Sequence, residues 1–532
     1  MTHSSKTPQG AAEKRGWFTR FLDTVEFLGN LLPHPVTLFA CFALAVVLGS
    51  GIAAYFDFSA IDPRPEGTAG RAADGTIKVV SLMTVDGLQR IVSNLVTNFT
   101  SFAPLGVVLV ALLGVSVAEH SGLISAAMRG LVMNASKRMV TVTIVFAGII
   151  SNTASELGYV VLIPMAALIF YSLGRHPLAG LAAAFAGVSG GYSANLFIGT
   201  VDPLLAGFTT SAANLIDPTY VVGPEANWFF MIASTFVIAA LGAFVTEKIV
   251  EPKLGKYHAS EASVDLGEQK LDPLTALEKK GLIGAGLTFL ALGILLALSI
   301  VPENGVLRHP ITGAVEDSPF LKGIVVFIFI TFGIPGYVYG RIVGTMKTDR
   351  DVINAMAKSM SSMGLYIVLV FFAAQFVAFF GWSNLGAILA VKGATLLQTI
   401  GLTGPELFVF FIAMCAIVNL SLGSASAQWA IFAPIFVPML MIVGYSPEVI
   451  QAAYRIGDSV TNLITPMMSY FGLILAVASR YKKDMGIGTL IATMLPYTMV
   501  FFVGWVVLFY VWVFLLGLPV GPGAPTYYEF AK

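Results

Sequence analysis

Residues 151–158 read SNTASELG, and residues 419–429 read NLSLGSASAQW. Each is a polar interruption inside an apolar run, the first spanning 139–173 and the second 405–443. The two runs align without a gap at a constant separation of 270 residues. Ser151 pairs with Ser421, Pro164 with Pro434, Gly174 with Gly444 and Pro177 with Pro447. Further on, Ala182 and Ala183 pair with Ala452 and Ala453, Gly187 with Gly457, and Ser189 with Ser459, while Tyr159 faces Trp429. Apolar segments broken at corresponding places in two halves of a membrane protein point to the binding site of a secondary transporter.

The composition supports a membrane setting. The 532 residues are 56% hydrophobic and 11% charged, against about 25% charged in soluble domains. The formal net charge is zero, which argues against a nucleic-acid partner. Cys41 and Cys415 lie inside apolar runs without metal or disulfide spacing and read as small buried hydrophobes. Lys14, Arg15 and Arg20 precede a first apolar run from about Pro35 to Tyr55, read as a retained span. HExxH, and GxSxG or phosphate-binding glycine motifs with the flanking elements they require, are absent, so the chain reads as neither a hydrolase nor an ATPase.

A bilayer core of about 30 Å takes about 20 apolar residues per helix. Runs of that kind lie near 35–55, 102–118, 178–198, 228–246, 281–301, 320–340, 362–380, 448–479 and 488–517. The interrupted runs 139–173 and 405–443 are too polar at the centre for one span and too short for two. They are expected to be helical hairpins that enter and leave on one side, with irregular backbone that protein or a watery cavity must satisfy. Lys and Arg gather at the N-terminus and in the segments around Arg129, Lys248, Arg341 and Arg480, while loops 201–227 and 302–318 are acidic. That bias places the N-terminus in the cytoplasm and opens the two hairpins from opposite sides. The expected fold is an all-α, multi-pass membrane protein with an inverted repeat, about nine transmembrane helices and two opposed hairpins. Stretches 118–132 and 381–401 read as helices lying along the membrane interface, and loop 56–93 as turn-rich and extracytoplasmic.

The organisation expected is a cytoplasmic segment 1–30, a first half 31–201, and a stretch 202–361 of outer loop, scaffold helices and cytoplasmic linker 247–280. A second half 362–517 and a tail 518–532 complete it.

Candidate chemistry follows the interruptions. In the second hairpin, Asn419, Ser421, Ser424, Ser426 and Gln428 cluster with Gly423 and Trp429. Hydroxyls, amides and carbonyls freed by an unwound helix suit a hard monovalent cation or a polar solute, although small polar residues also mediate helix packing. Next comes AAYRIGDSVTNLITPMM, where Arg455 and Asp458 stand three residues apart on one helix face. Charges inside a membrane are costly and usually functional; a structural Arg455–Asp458 pair is the bland alternative. Asp458, Asn462 and Thr465, with Pro466 breaking the helix, are candidates to ligate a cation or carry a proton, and Arg455 to hold a substrate carboxylate. Phe185 and Val188 occupy the matching places of the first copy, so fold symmetry does not demand the charges. The first half offers Ser151, Asn152, Thr153, Ser155 and Glu156 in its hairpin. Asn195 and Asp202 follow the glycine break, Asp202 being either a site residue or a cap at an outer mouth.

The blocks SNTASELGYVVLIP, HPLAGLAAAFAGVSGGYSANL, GSASAQWAIFAPIFVPML and YRIGDSVTNLITPMMSYFGL resemble the AbgT family of p-aminobenzoyl-glutamate transporters, nearest its MtrF-like antimetabolite-efflux branch. The resemblance runs from NLLPHPVTLF at 30–39 to GLPVGPGAP at 517–525. It implies a dimer with nine spanning helices and two opposed hairpins in a bacterial inner membrane. It also implies transport of p-aminobenzoyl-glutamate or sulfonamide drugs coupled to sodium or protons, with no other cofactor. Family motif positions fall on Asp202, Trp429, Arg455, Asp458 and Pro466, and a sodium site on Asn419, Gly423, Asp458 and Asn462. Efflux is the expected direction. Uptake of p-aminobenzoyl-glutamate and a passive amide-lined channel are the alternatives.

Overall fold

The computed structural model describes residues 33–68, 71–154, 158–263, 273–315 and 318–530, and these are mostly helical. Among them, eight helices are long and apolar enough to cross a membrane: Pro35–Tyr55, Val85–His120, Trp228–Leu254, Ala276–Ile300, Ile324–Val343, Gly364–Trp382, Ala425–Val443 and Ile487–Leu515. Ala276–Ile300 is almost entirely unburied within the protein and shows Ile283, Leu287, Leu290 and Leu298, a face suited only to lipid.

Both interrupted runs are hairpins. The first has arms Val140–Ser151 and Ile163–Ser172, with a π-turn Gly158–Leu162 leading into the second arm. The second has arms Leu407–Leu422 and Ala425–Val443. The aligned residues explain themselves as punctuation. Gly174 and Gly444 follow the second arms with φ of +73° and +115°, a region that favours glycine. Pro177 and Pro447 then open the next helices, capped by His176 and Ser446, whose side chains accept from the N–H of Leu178 and Val449. Gly187 and Gly457 mark the same close crossing in each copy. A methyl on Gly187 would meet the Val145 carbonyl oxygen at 2.3 Å, and one on Gly457 would meet Cys415 Cβ at 2.6 Å. Val145 and Cys415 are themselves a repeat pair.

Two of the expected spans are discontinuous. The run 178–198 is a helix Pro177–Phe185, a π-turn Ala186–Gly190 and then irregular chain. The run 448–479 is a helix Pro447–Thr461, a turn holding Thr465 and Pro466, and a helix Phe471–Tyr481. Glycine pairs and prolines free backbone groups at membrane depth, and such ends are what broken transporter helices present.

The outer-loop expectation for 201–227 needs correction. Residues Val201–Ala213 form a helix with Asp202 in its first turn and nearly all its residues buried. Pro203 does not prevent this, because proline near a helix start sacrifices no intrahelical bond. Loop 56–93 likewise holds structure: strands Ser59–Ile61 and Thr76–Lys78 pair antiparallel, followed by the amphipathic helix Val85–Thr100. The interface stretches form helices Leu123–Met133 and Leu385–Thr399.

Packing sorts the helices into two sets. Ala103–Ser121 lies along Ile324–Val343, which packs on Ala276–Ile300, while Pro35–Tyr55 packs on Gly364–Trp382. The second set holds the hairpins and broken helices: Val140–Ser151 against Ala186–Gly190, Leu407–Leu422 against Pro447–Thr461, and Ala425–Val443 against Val201–Ala213. Trp429, Tyr454, Phe185 and Phe208, all fully buried, belong to this second set, while Phe39 and Tyr339 are as deep in the first.

Candidate functional site

All residues of the helix Pro447–Thr461 are buried. Along it and its continuation Glu448, Gln451, Arg455, Asp458 and Asn462 recur at three- and four-residue steps, one polar stripe on one helix face. Arg455 does not pair with Asp458. Its Nη1 lies 2.6 Å from Oδ1 of Asp202, the two side chains being 5% and 3% exposed. Neighbours on one helix face project side by side, so the guanidinium finds its counter-charge on the helix opposite. Asp202 serves twice, because Oδ2 also accepts the Gly199 backbone N–H at 2.6 Å. Asp202, read above as either a site residue or a cap, thus makes both a charge contact and a backbone contact. The ion contact lacks hydrogen-bond alignment, and Arg455 Nε has no hydrogen-bond partner.

Asp458 is 1% exposed, and neither carboxylate oxygen has an aligned hydrogen-bond donor. Arg455 and Asn462 are close enough to bear on its charge. Asn419, at the end of the first arm of hairpin 2, sends its amide N–H groups to the Asp458 carbonyl at 2.7 Å, Asn462 Oδ1 at 2.8 Å and Thr461 Oγ1 at 3.1 Å. Its own Oδ1 is buried without a partner. Gly423 ends that arm with φ +57°, and Thr465 ties the helix break to it by donating to the Leu420 carbonyl at 2.8 Å. Beside the turn, Pro466 is half-buried. Ser424 caps the second arm, and Ser424 and Ser426 are half-buried at the hairpin tip. Gln428 is fully buried; its Nε2 donates to the Cys415 carbonyl at 2.8 Å and its Oε1 has no partner.

Trp429 is sealed rather than open to a cavity. It is 0% exposed, stacks on Tyr454 at 4.3 Å between ring centroids, and donates Nε1–H to Thr209 Oγ1 at 2.9 Å. Thr209 in turn donates to Gln451 Oε1, and Gln451 Nε2 donates to Asn227 Oδ1 at 2.8 Å. Asn227 closes the chain on the Glu448 carbonyl, also at 2.8 Å. A continuous buried polar line therefore joins hairpin 2 to the start of the Arg455 helix.

The first copy is differently used. Ser151 donates to the Gly148 carbonyl, Asn152 to the Val188 carbonyl, and Thr153 to the Ile150 carbonyl and Asn195 Oδ1. Asn152 thereby fastens the hairpin to the broken helix Pro177–Gly190 and Thr153 fastens it to the chain just beyond, while Ser151 bonds within its own arm. The two breaks meet where Ser193 N–H donates to Ser459 Oγ at 3.1 Å. Ser155 and Glu156 lie outside the described residues.

The buried polar atoms without a hydrogen-bond partner concentrate in one place: Asp202, Asn419, Gln428, Arg455 and Asp458 supply most of those among the described residues. Unsatisfied buried groups cost about 1–3 kcal/mol each, so their clustering marks a site kept for a purpose other than stability. The oxygens of Asn419 and Asp458, near a backbone bend at Gly423, are a donor set that fits a hard monovalent cation. Arg455 supplies the one charge there suited to a carboxylate.

Sequence reasoning missed Thr209, Gln451, Asn227 and Tyr454. Gln451 was accessible through the stripe, standing four residues before Arg455. Thr209, the first of three consecutive hydroxyl residues in its helix, stands seven residues after Asp202 and so on the same face, the only signal it gave.

The sequence model of the AbgT putative transporter family matches residues 20–528. The p-aminobenzoyl-glutamate transport protein of Escherichia coli (strain K12) is 38% identical over 500 residues, covering 94% of this chain and 95% of that protein. The fold is similar to that of MtrF from Neisseria gonorrhoeae, described as illuminating a class of antimetabolite efflux pumps. The TM-score is 0.90 and the identity 65%, over 95% of this chain and all of that one. It is also similar to the YdaH transporter of Alcanivorax borkumensis, described as having an unusual topology. There the TM-score is 0.85 and the identity 46%, over 92% of this chain and all of that one.

Proposed function

This chain belongs to the AbgT family of transporters, and from that premise we propose that it is an ion-coupled exporter of p-aminobenzoyl-glutamate-like solutes and sulfonamide antimetabolites across a bacterial inner membrane. The observation that carries the proposal is the knot of Arg455, Asp202, Asp458 and Asn419 at the meeting of two broken helices. In this reading Arg455, freed from Asp202, holds the solute's carboxylate or sulfonyl oxygens. Ser424, Ser426 and a mobilised Trp429 receive its aromatic amide. The coupling ion, sodium or a proton, sits on Asp458 with Asn419, Asn462 and the Gly423 bend. From the sequence, Ser155 is proposed as a further solute contact.

Export is favoured over uptake because the identity to an antimetabolite efflux pump, 65%, exceeds that to a p-aminobenzoyl-glutamate transport protein, 38%. The protein is expected to work as a homodimer with its N-terminus in the cytoplasm and residues 302–315 outside. A dense, protein-filled centre argues against a passive channel. In proteoliposomes, labelled p-aminobenzoyl-glutamate and a sulfonamide should accumulate against their own gradients when a sodium or pH gradient is imposed. Movement that halts at equal concentrations in either direction would overturn coupling; accumulation only in the uptake sense would overturn export.

A further inference from the structure

A concavity holding two buried carboxylates lies apart from the Arg455 site, and none of Asp202, Asn419, Arg455 or Asp458 lines it. It has a volume of about 580 Å³, the size of a drug-sized ligand site. One wall comes from the set of helices around Ala103–Ser121 and Ile324–Val343, through Val107, Ile324 and Val325. The other comes from the hairpin set, through Ala206 and Thr210 of the Val201–Ala213 helix and the turn Val221–Ala226. Two carboxylates line it, Glu225 and Glu448, 7% and 6% exposed. Glu448 accepts the Tyr220 hydroxyl at 2.9 Å, whereas Glu225 Oε2 is buried with no hydrogen-bond partner. Neither forms an ion pair with a described residue; Lys322 also borders the concavity but is itself exposed and unpaired with them. Burial raises the Glu225 carboxyl to about 6, the mark of a charge held without compensation. Glu448 stands seven residues before Arg455, about 10 Å along the helix axis, so this place is distinct from the knot described above.

We propose that this cavity binds a small organic cation with an apolar body, an amine or amidine held by Glu225 and Glu448. Two carboxylates supply the counter-charge, and Val107, Ile324, Val325 and Ala206 supply a surface no hydrated metal ion would use. The volume is many times that of one water, about 30 Å³, which points the same way. Because its two walls belong to different helix sets, an occupant braces one set against the other.

The test uses the purified full chain in lipid nanodiscs with benzamidine as probe and benzamide, its neutral counterpart of nearly the same shape, as control. Benzamidine should raise Tm saturably, and its Kd should be at least tenfold below that of benzamide. Glu225→Gln and Glu448→Gln should each weaken benzamidine at least tenfold. Glu225→Gln should also raise the Tm of the unliganded protein, which loss of a merely structural contact would not do. Val107→Trp, which fills the cavity from the opposite wall and leaves both carboxylates in place, should abolish binding. Equal affinity for the two probes, or benzamidine binding that survives Val107→Trp or both carboxylate changes, overturns the proposal.

Discussion

Arg455 of the second repeat and Asp202, just beyond the first, meet as a buried ion pair at 2.6 Å, although 253 positions separate them in the sequence. Removing one member of a buried pair leaves the other charge uncompensated, at a cost of about 3–5 kcal/mol. Asp202→Asn and Arg455→Gln should each lower stability by about that amount, and the double variant by clearly less than the sum. Thermal unfolding of the three variants measures this, and all three should lose transport. Additive losses would mean that the contact carries no coupling.

Thr209 connects Trp429 to Gln451. Thr209→Val preserves shape but strips partners from two buried groups, which should cost about 1–3 kcal/mol. Thr209→Ser, keeping the hydroxyl, should restore most of it. Unfolding followed by tryptophan fluorescence distinguishes the two, and equal stability of the Val and Ser variants would show that the bond is dispensable.

Asp458→Asn removes a carboxylate whose oxygens have no donor. If Asp458 carries the coupling ion, the variant should still bind p-aminobenzoyl-glutamate within about threefold while gradient-driven accumulation falls to background, a difference of about 0.6 kcal/mol at most in binding. Retention of ion-driven accumulation would remove Asp458 from that role.

Outside the spans, Asp62 and Arg64 anchor the small strand pair, with Nη2 of Arg64 2.6 Å from Asp62 Oδ2. Burial pushes the Asp62 carboxyl up, but hydrogen bonds from the Arg64 side chain and backbone and the Arg64 and Arg71 charges outweigh it and hold it below its ordinary 3.8. A folded-state value below the unfolded one contributes stability that is present above 3.8 and lost as pH falls through the folded value. Hydrogen exchange of residues 59–78 should therefore accelerate on acidification to that range, and Asp62→Asn should be fast already at neutral pH. Unchanged protection in the variant would contradict the assignment.

The hairpins and the repeat were legible because glycine and proline punctuate the chain with fixed geometric consequences: Gly174 and Gly444 take left-handed φ, and Pro177 and Pro447 start helices. The stripe through Arg455 and Asp458 was legible for the same kind of reason, a helical period. What lay across from it was not. Spacing says which residues share a face but nothing of the helix opposite, so Asp202 as the partner of Arg455 had no local signature. The segment from Asp202 onward read as an outer loop because it is acidic and lacks Lys and Arg, yet it begins a helix, where proline in the first turn costs nothing. Trp429 read as a member of the hairpin's polar cluster, whereas it is fully buried and its N–H is spent on Thr209.

Phe185 and Val188, fully buried, occupy in one copy the places that Arg455 and Asp458 hold in the other. The duplicated frame is thus alike in shape and unlike in charge. Arg455 and Asp458 carry opposite charges on one helix, so they cancel when they move together through the bilayer field, and net charge moves with them only when a cation is bound beside them. If Asp458 carries the coupling ion, membrane voltage, at about 2.3 kcal/mol per elementary charge for each 100 mV, acts on the loaded protein and hardly on the empty one.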